Sequence, residues 1–243
     1  MNRLGLFLFV SFLLPQAVPA SDARPPAATT ELFNGRDLSG WTQHVKAGES
    51  ADASTWTVAD GVIRCTGAPT GYLRSEGRYK NFRLTLEWRW AGPDLPPDAQ
   101  GRARRRNSGV LFHADGSGAV WPVSIEAQLM QTLAGDLYVL GSAETAEIAA
   151  ARQQAAADAG SDAAAIARAR NIRRQPRIQA NAEKPAGEWN TCEITCAGDT
   201  VVLRINGAEQ NRATKLTVTE GHLALQAEGA PIEFRHVRIA PLE

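Results

Sequence analysis

The chain has 243 residues, 44% of them hydrophobic and 21% charged, which suffices for one sizeable domain with its own core. Lys+Arg and Asp+Glu both number 26, so the net charge is zero and nothing in the charge balance calls for a polyanion such as nucleic acid. Most of the basic residues are Arg, which a coding bias explains more simply than anion or sugar-acid binding.

Residues 1–20 read as a secretory signal peptide. Arg3 supplies the positive start, Leu4 to Leu14 the apolar run, and Val18-Pro19-Ala20 the small residues before a cut. The run is too short and wrongly flanked for a membrane span, and no later segment is long and apolar enough. The expectation is a secreted protein, periplasmic in a Gram-negative source. Residues 21–30, rich in Pro, Ala and Thr, form a flexible leader. A single domain is then expected over 31–243.

From Glu31 onward strand signals dominate. Asn34-Gly35 predicts a turn flanked by the apolar anchors Leu32, Phe33, Leu38 and Trp41. Thr55–Val58, Asp60-Gly61 and Val62–Cys65 predict a hairpin. Tyr72–Ser75 is a short strand candidate. Asn81–Trp90 alternates, with Phe82, Leu84, Leu86, Trp88 and Trp90 on one face and Arg83, Thr85, Glu87 and Arg89 on the other. After a Pro-bearing loop with Arg104-Arg105-Arg106, read as solvated, come Asn107–His113, Ser124–Leu129 and Leu137–Leu140.

Residues 142–183 change character and read as a helical and linker insertion. Ser142–Arg174 is Ala-rich with few large apolar residues, which predicts one or two peripheral helices broken near Gly160, or partial disorder. The insertion is also a candidate docking element for a protein partner. Strands resume at Trp189–Cys196, Thr200–Ile205, His222–Glu228 and Ile232–Ile239. The last slips phase near Arg235-His236, the mark of a bulge. Many short strands with one helical insertion describe an all-β antiparallel sandwich. Cys192 and Cys196 fall on one strand face roughly 13 Å apart, too far to bridge. Cys65 can pair with either, and buried small residues are the plainer reading.

Several pieces occur in one order: ELFNGRDLSGW at 31–41, WTVADGVI at 56–63 and NFRLTLEWR at 81–89. NSGV follows at 107–110, IEAQ at 125–128, KPAGEWN at 184–190, ING at 205–207, LALQ at 223–226 and PIEFRHV at 231–237. Together they resemble the 3-keto-disaccharide hydrolase domain family. The resemblance implies a concanavalin A-like jelly roll whose concave sheet cradles an oligosaccharide or glycoside. No phosphate-loop or metal-ligand motif calls for a cofactor, although a loop-bound calcium would suit the fold class. The chain departs from the family pattern at the long 142–174 segment and at Met130. It departs again at Ala227-Glu228-Gly229, where Asp-His-Gly is usual, and at Arg235-His236, where Arg-Asn is usual.

A ketone at C3 acidifies the C2 proton, so the implied chemistry needs a base, a donor at the ketone oxygen and an acid for the leaving group. Glu126 is the expected base, Arg235 or Arg89 the oxyanion partner, and Glu87 or Glu228 a second carboxylate. Asn107, His113, Gln128, Gln226 and Glu228, with Arg89, are the expected substrate contacts. Trp90 and Trp121 are candidates for stacking on a sugar ring, and Trp41, Trp56, Trp88 and Trp189 for the core. The plainer alternatives are a Glu126–Arg235 ion pair holding the sandwich together, a solvated Glu87/Arg89 face, structural roles for His113 and His236, or a non-catalytic glycan-binding module.

Overall fold

The computed structural model describes residues 28–49 and 54–242; the expected signal peptide and most of the expected leader lie outside them. In chain order the strands begin β1 (Thr30–Glu31), β2 (Trp41–Val45), β3 (Trp56–Ala59), β4 (Val62–Cys65), β5 (Gly71–Ser75) and β6 (Phe82–Trp90). Then come β7 (Gly109–Ala114), β8 (Ser124–Gln128), β9 (Leu137–Leu140), helices α1 (Ala146–Asp158) and α2 (Ala163–Arg170), and β10 (Arg174–Gln175). The chain closes with β11 (Asn190–Ala197), β12 (Thr200–Ile205), β13 (Ala208–Ala213), β14 (His222–Ala227) and β15 (Ile232–Pro241).

These strands form two antiparallel sheets. The first runs β13-β12-β11-β6-β15-β4-β3, with β1 also pairing β15; the second runs β10-β9-β8-β7-β14-β5-β2. Strict alternation drives the stacking. The inward face of β6, with Phe82, Leu84, Leu86, Trp88 and Trp90 all nearly inaccessible, meets Leu73, Val110, Phe112, Ile125, Ala127, Leu225 and their neighbours from the second sheet. Each large side chain buried this way contributes about 1.5–3 kcal/mol.

The turns follow local chemistry. Asp60 and Gly61 (φ 55° and 73°) and Asn206 and Gly207 (φ 51° and 82°) take the left-handed pairs that two-residue hairpins demand. Asn34 Oδ1 accepts from the amides of Arg36 and Asp37, and Trp41 Nε1 donates to the Leu32 carbonyl at 2.8 Å. The segment 31–41 is thus a clasp. The predicted slip in β15 is a register shift between Arg235 and Arg238, with His236 at φ 51°.

The Ala-rich segment folds as two short helices separated by Gly160 (φ 55°). Thr145 caps α1 and Asp162 caps α2, and each helix buries a single residue, Ile148 and Ala169 respectively. With so little apolar contact, α1 is held largely by polar ties, Glu147 accepting from the amide and hydroxyl of Thr214. The three cysteines are free and buried. Among the described residues no helix is long and apolar enough to cross a membrane.

Candidate active site

The outer face of the second sheet carries the polar cluster. Pairing places Tyr138 of β9, Glu126 of β8 and Leu111 of β7 side by side, and Gln128 beside Gly109. On the other flank of β7, Leu225 pairs with Val110, which brings Gln226 of β14 alongside Gly109, and Gln226 pairs in turn with Tyr72 of β5. Alternation adds Asn107, two residues before Gly109, and Glu228, two after Gln226. Glu126, Gln226, Asn107, Glu228 and Tyr138 therefore come from four chain segments and converge on one face.

Gly109 makes the convergence possible. A Cβ there would lie 2.5 Å from Glu126 Oε1 and 2.6 Å from Gln226 Oε1. The space a side chain would fill is occupied by these two oxygens.

Electrostatics sets Glu126 apart. It is only 5% exposed, and its pKa is pushed up to about 8, first by burial and then by the neighbouring Glu228 charge, against a hydrogen bond from Gln226. Glu228, half-buried, is also raised by burial, with an Asn107 hydrogen bond favouring its charged form. Tyr138 is raised too, chiefly by burial; Arg174 opposes this and the carboxylates Asp136, Glu126 and Glu228 reinforce it, so its hydroxyl keeps its proton. Two carboxyls in unlike surroundings next to a phenol form an arrangement suited to moving protons.

The rest of this face is closed. Tyr72 donates its hydroxyl to the Ala119 carbonyl at 3.0 Å, and Arg74 Nη1 donates to the Gly116 carbonyl at 3.1 Å. The loop 115–121 thus lies over β5. Beneath it Tyr72, Leu111 and Ala224 are fully buried although they point away from the main core. His44 stacks on Tyr72 at 5.0 Å.

The structure divides the expected site residues. Glu126, Gln128, Gln226, Glu228 and Asn107 share the outer face of the second sheet, although Gln128 is turned aside and accepts from the Met130 amide at 2.7 Å. Glu87, Arg89 and Arg235 sit on the outer face of the first sheet, with the core between them and Glu126. There Arg235 pairs with Glu87 and Arg89 with Glu233, each at 2.6 Å, and both guanidiniums lie over the Trp189 ring, at 4.0 and 4.5 Å. A Glu126–Arg235 pair is ruled out by this separation, and Trp189 is half-buried outside the core rather than in it.

His113 is also displaced. The β7–β14 register shifts between His222 and Ala224, and His113 takes φ 53°. The bulge turns its ring into the core, edge-on to Phe82 and Phe112, with Nδ1 against the Val218 carbonyl. Burial lowers its pKa to about 4, so the ring stays neutral. Trp90 is 2% exposed and donates to Glu183, which leaves no stacking face, whereas Trp121 is half-buried in the loop 115–121. Arg106 is not solvated: it is 3% exposed and bonds Asp94 and the Gly92 carbonyl.

Two residues escaped the sequence reading. Tyr138 was hidden by an apolar strand, though its alternation with the core residues Leu137 and Val139 points it outward. Arg174, paired across the sheet with Tyr138 and bonded to buried Asp136 at 2.6 Å, lies in a segment read as linker. Among the described residues no group of three or more His, Cys, Asp and Glu side chains is placed to hold a metal ion.

The family model of the 3-keto-alpha-glucoside-1,2-lyase-like domain matches residues 28–240. Among solved structures, a Parabacteroides distasonis protein provisionally described as a glycosyl hydrolase is 20% identical. The match covers 88% of this chain and all (100%) of that one, with a TM-score of 0.56. A β-glucanase of Bacillus licheniformis is 10% identical over 90% of this chain and 100% of its own, at 0.54. A carbohydrate-binding module of Bacillus subtilis is 10% identical over 82% and 94%, at 0.52. These likenesses establish the concanavalin A-like jelly roll. No curated protein sequence matches the chain.

Proposed function

The chain belongs to the 3-keto-alpha-glucoside-1,2-lyase-like domain family, and from that premise we propose that it cleaves a glycosidic bond of a sugar oxidised to a ketone at C3. A base takes the C2 proton and the electrons pass to the ketone oxygen as an enolate. The enolate collapses, the C1–O bond breaks, and the leaving oxygen receives a proton. Water then adds across the resulting C1–C2 double bond, so the net reaction is hydrolysis.

The observation that carries this reading is the Glu126/Glu228 pair, with Glu126 nearly inaccessible and held at about 8. At neutral pH Glu126 keeps its proton and serves as the acid for the leaving oxygen. Glu228, more exposed and hydrogen-bonded by Asn107, is the base. This reverses the role that sequence alone suggests for Glu126. The Tyr138 hydroxyl, protonated and adjacent, is the donor for the enolate oxygen.

The test is incubation of the mature protein with a 3-keto-disaccharide and with the unoxidised disaccharide. Sugar release from the keto substrate alone is the expected result. Retention of glycan without release from either would replace the proposal with a non-catalytic glycan-binding module.

A further inference from the structure

The floor of the site contains hydrogen-bond acceptors in excess. The Gln226 amide donates to Glu126 and the Asn107 amide to Glu228, which leaves their own carbonyl oxygens over. Among the described residues neither Gln226 Oε1 nor Asn107 Oδ1 has a partner, although both atoms are buried, and Gln226 as a whole is 1% exposed. Gln226 Oε1 faces the space over Gly109, beside Glu126 Oε1, and the one proton there, that of Glu126, is the one assigned to the leaving oxygen. A buried acceptor without a donor is costly, so such a floor is completed by a ligand that brings donors.

The charges point the same way. Neither carboxyl has a cation among the groups acting on it. Arg174, on the β10 side, is bonded to Asp136, and Arg74 is turned to the Gly116 carbonyl under the loop 115–121. The remaining charged groups near Tyr138 are carboxylates.

We infer that the site selects its substrate by charge, taking an uncharged pyranoside whose hydroxyls donate to Gln226 Oε1 and Asn107 Oδ1 and turning away a uronate. This rests on the carbohydrate reading above and narrows it. A sugar carboxylate brings acceptors to an acceptor floor and a like charge beside Glu228, where Arg174 and Arg74 are already engaged by Asp136 and the Gly116 carbonyl.

Turnover of a methyl 3-keto-glucoside is compared with that of the matching 3-keto-glucuronide. The glucuronide should show a kcat/KM lower by at least about tenfold. In Glu228→Gln, which keeps an acceptor for Asn107 and so preserves the local fold, calorimetric affinities for the two sugars should draw to within about threefold of each other. Equal or faster turnover of the glucuronide, or a preference in Glu228→Gln as wide as in the wild type, would overturn the inference and leave the function standing. Turnover of neither sugar would overturn both.

Discussion

Glu126 and Gln226 reach from the strands on either side of β7 and place their oxygens 2.5 and 2.6 Å from the point where a Gly109 Cβ would stand. A single methyl group therefore decides whether the two side chains can meet. Gly109→Ala should leave the β7 ladder paired but drive Glu126 and Gln226 off their positions. Sugar release should fall about 100-fold, since an ångström of misplacement costs on that order. Retained activity would show that Glu126 does not act from this position.

Glu126 also leaves a mark on stability. Its ordinary value of 4.5 rises to about 8 in the fold, so between those limits the folded protein holds a proton that the unfolded chain has released. That contribution is complete below pH 4.5 and is lost as pH climbs to about 8. His113 runs the other way, from 6.5 down to about 4, and its contribution is lost as pH falls through that window. Above pH 6.5 the Glu126 slope is free of the His113 one. The Tm should fall from pH 6.5 to pH 8, and Glu126→Gln should flatten the fall while cutting sugar release about 10²–10⁴-fold. An unchanged pH profile in the variant would dispose of the raised carboxyl.

Arg235 sits on the opposite sheet, bonded to Glu87 and stacked on Trp189. Arg235→Ala should cost about 1–2 kcal/mol of stability in a denaturant titration, from one partly exposed ion pair and one cation–π contact. Its kcat/KM should stay within about twofold of wild type. A loss of activity far beyond the loss of stability would move the site to the first sheet.

The thiols should be inert. Burial pushes Cys65 and Cys192 up to about 12 and Cys196 higher still. A thiol-reactive disulfide reagent should label none of the three in the native protein and all three in denaturant, with no reductant needed. Labelling that appears only after reduction would reveal a disulfide.

The fold was legible wherever one side of a strand faces the core. β6 announced itself because Phe82 to Trp90 alternate without a break, and the two left-handed hairpin pairs were written as Asp-Gly and Asn-Gly. The face of a residue was equally legible, since Glu126, Gln226, Glu228 and Glu87 all point outward. Which sheet owns that face was not. Glu87, Arg235 and Glu126 follow the same period-two rule, and only the strand order β11-β6-β15 against β8-β7-β14 separates them. His113 escaped for a local reason: a bulge in β7 reverses the phase over one residue, and no Gly or Pro marks it. Buried Arg106 escaped because its neighbours, a proline-rich loop and two more arginines, carry the signature of solvent.

The loop over β5 has a consequence for the shape of what can enter. Tyr72 and Arg74 hold residues 115–121 across the strands that an open-cleft jelly roll would leave bare. A polymer threaded through from β10 toward β2 would run into that barrier just past Gln226. For the glycoside cleavage proposed above, that barrier favours the end of a saccharide over the middle of a chain.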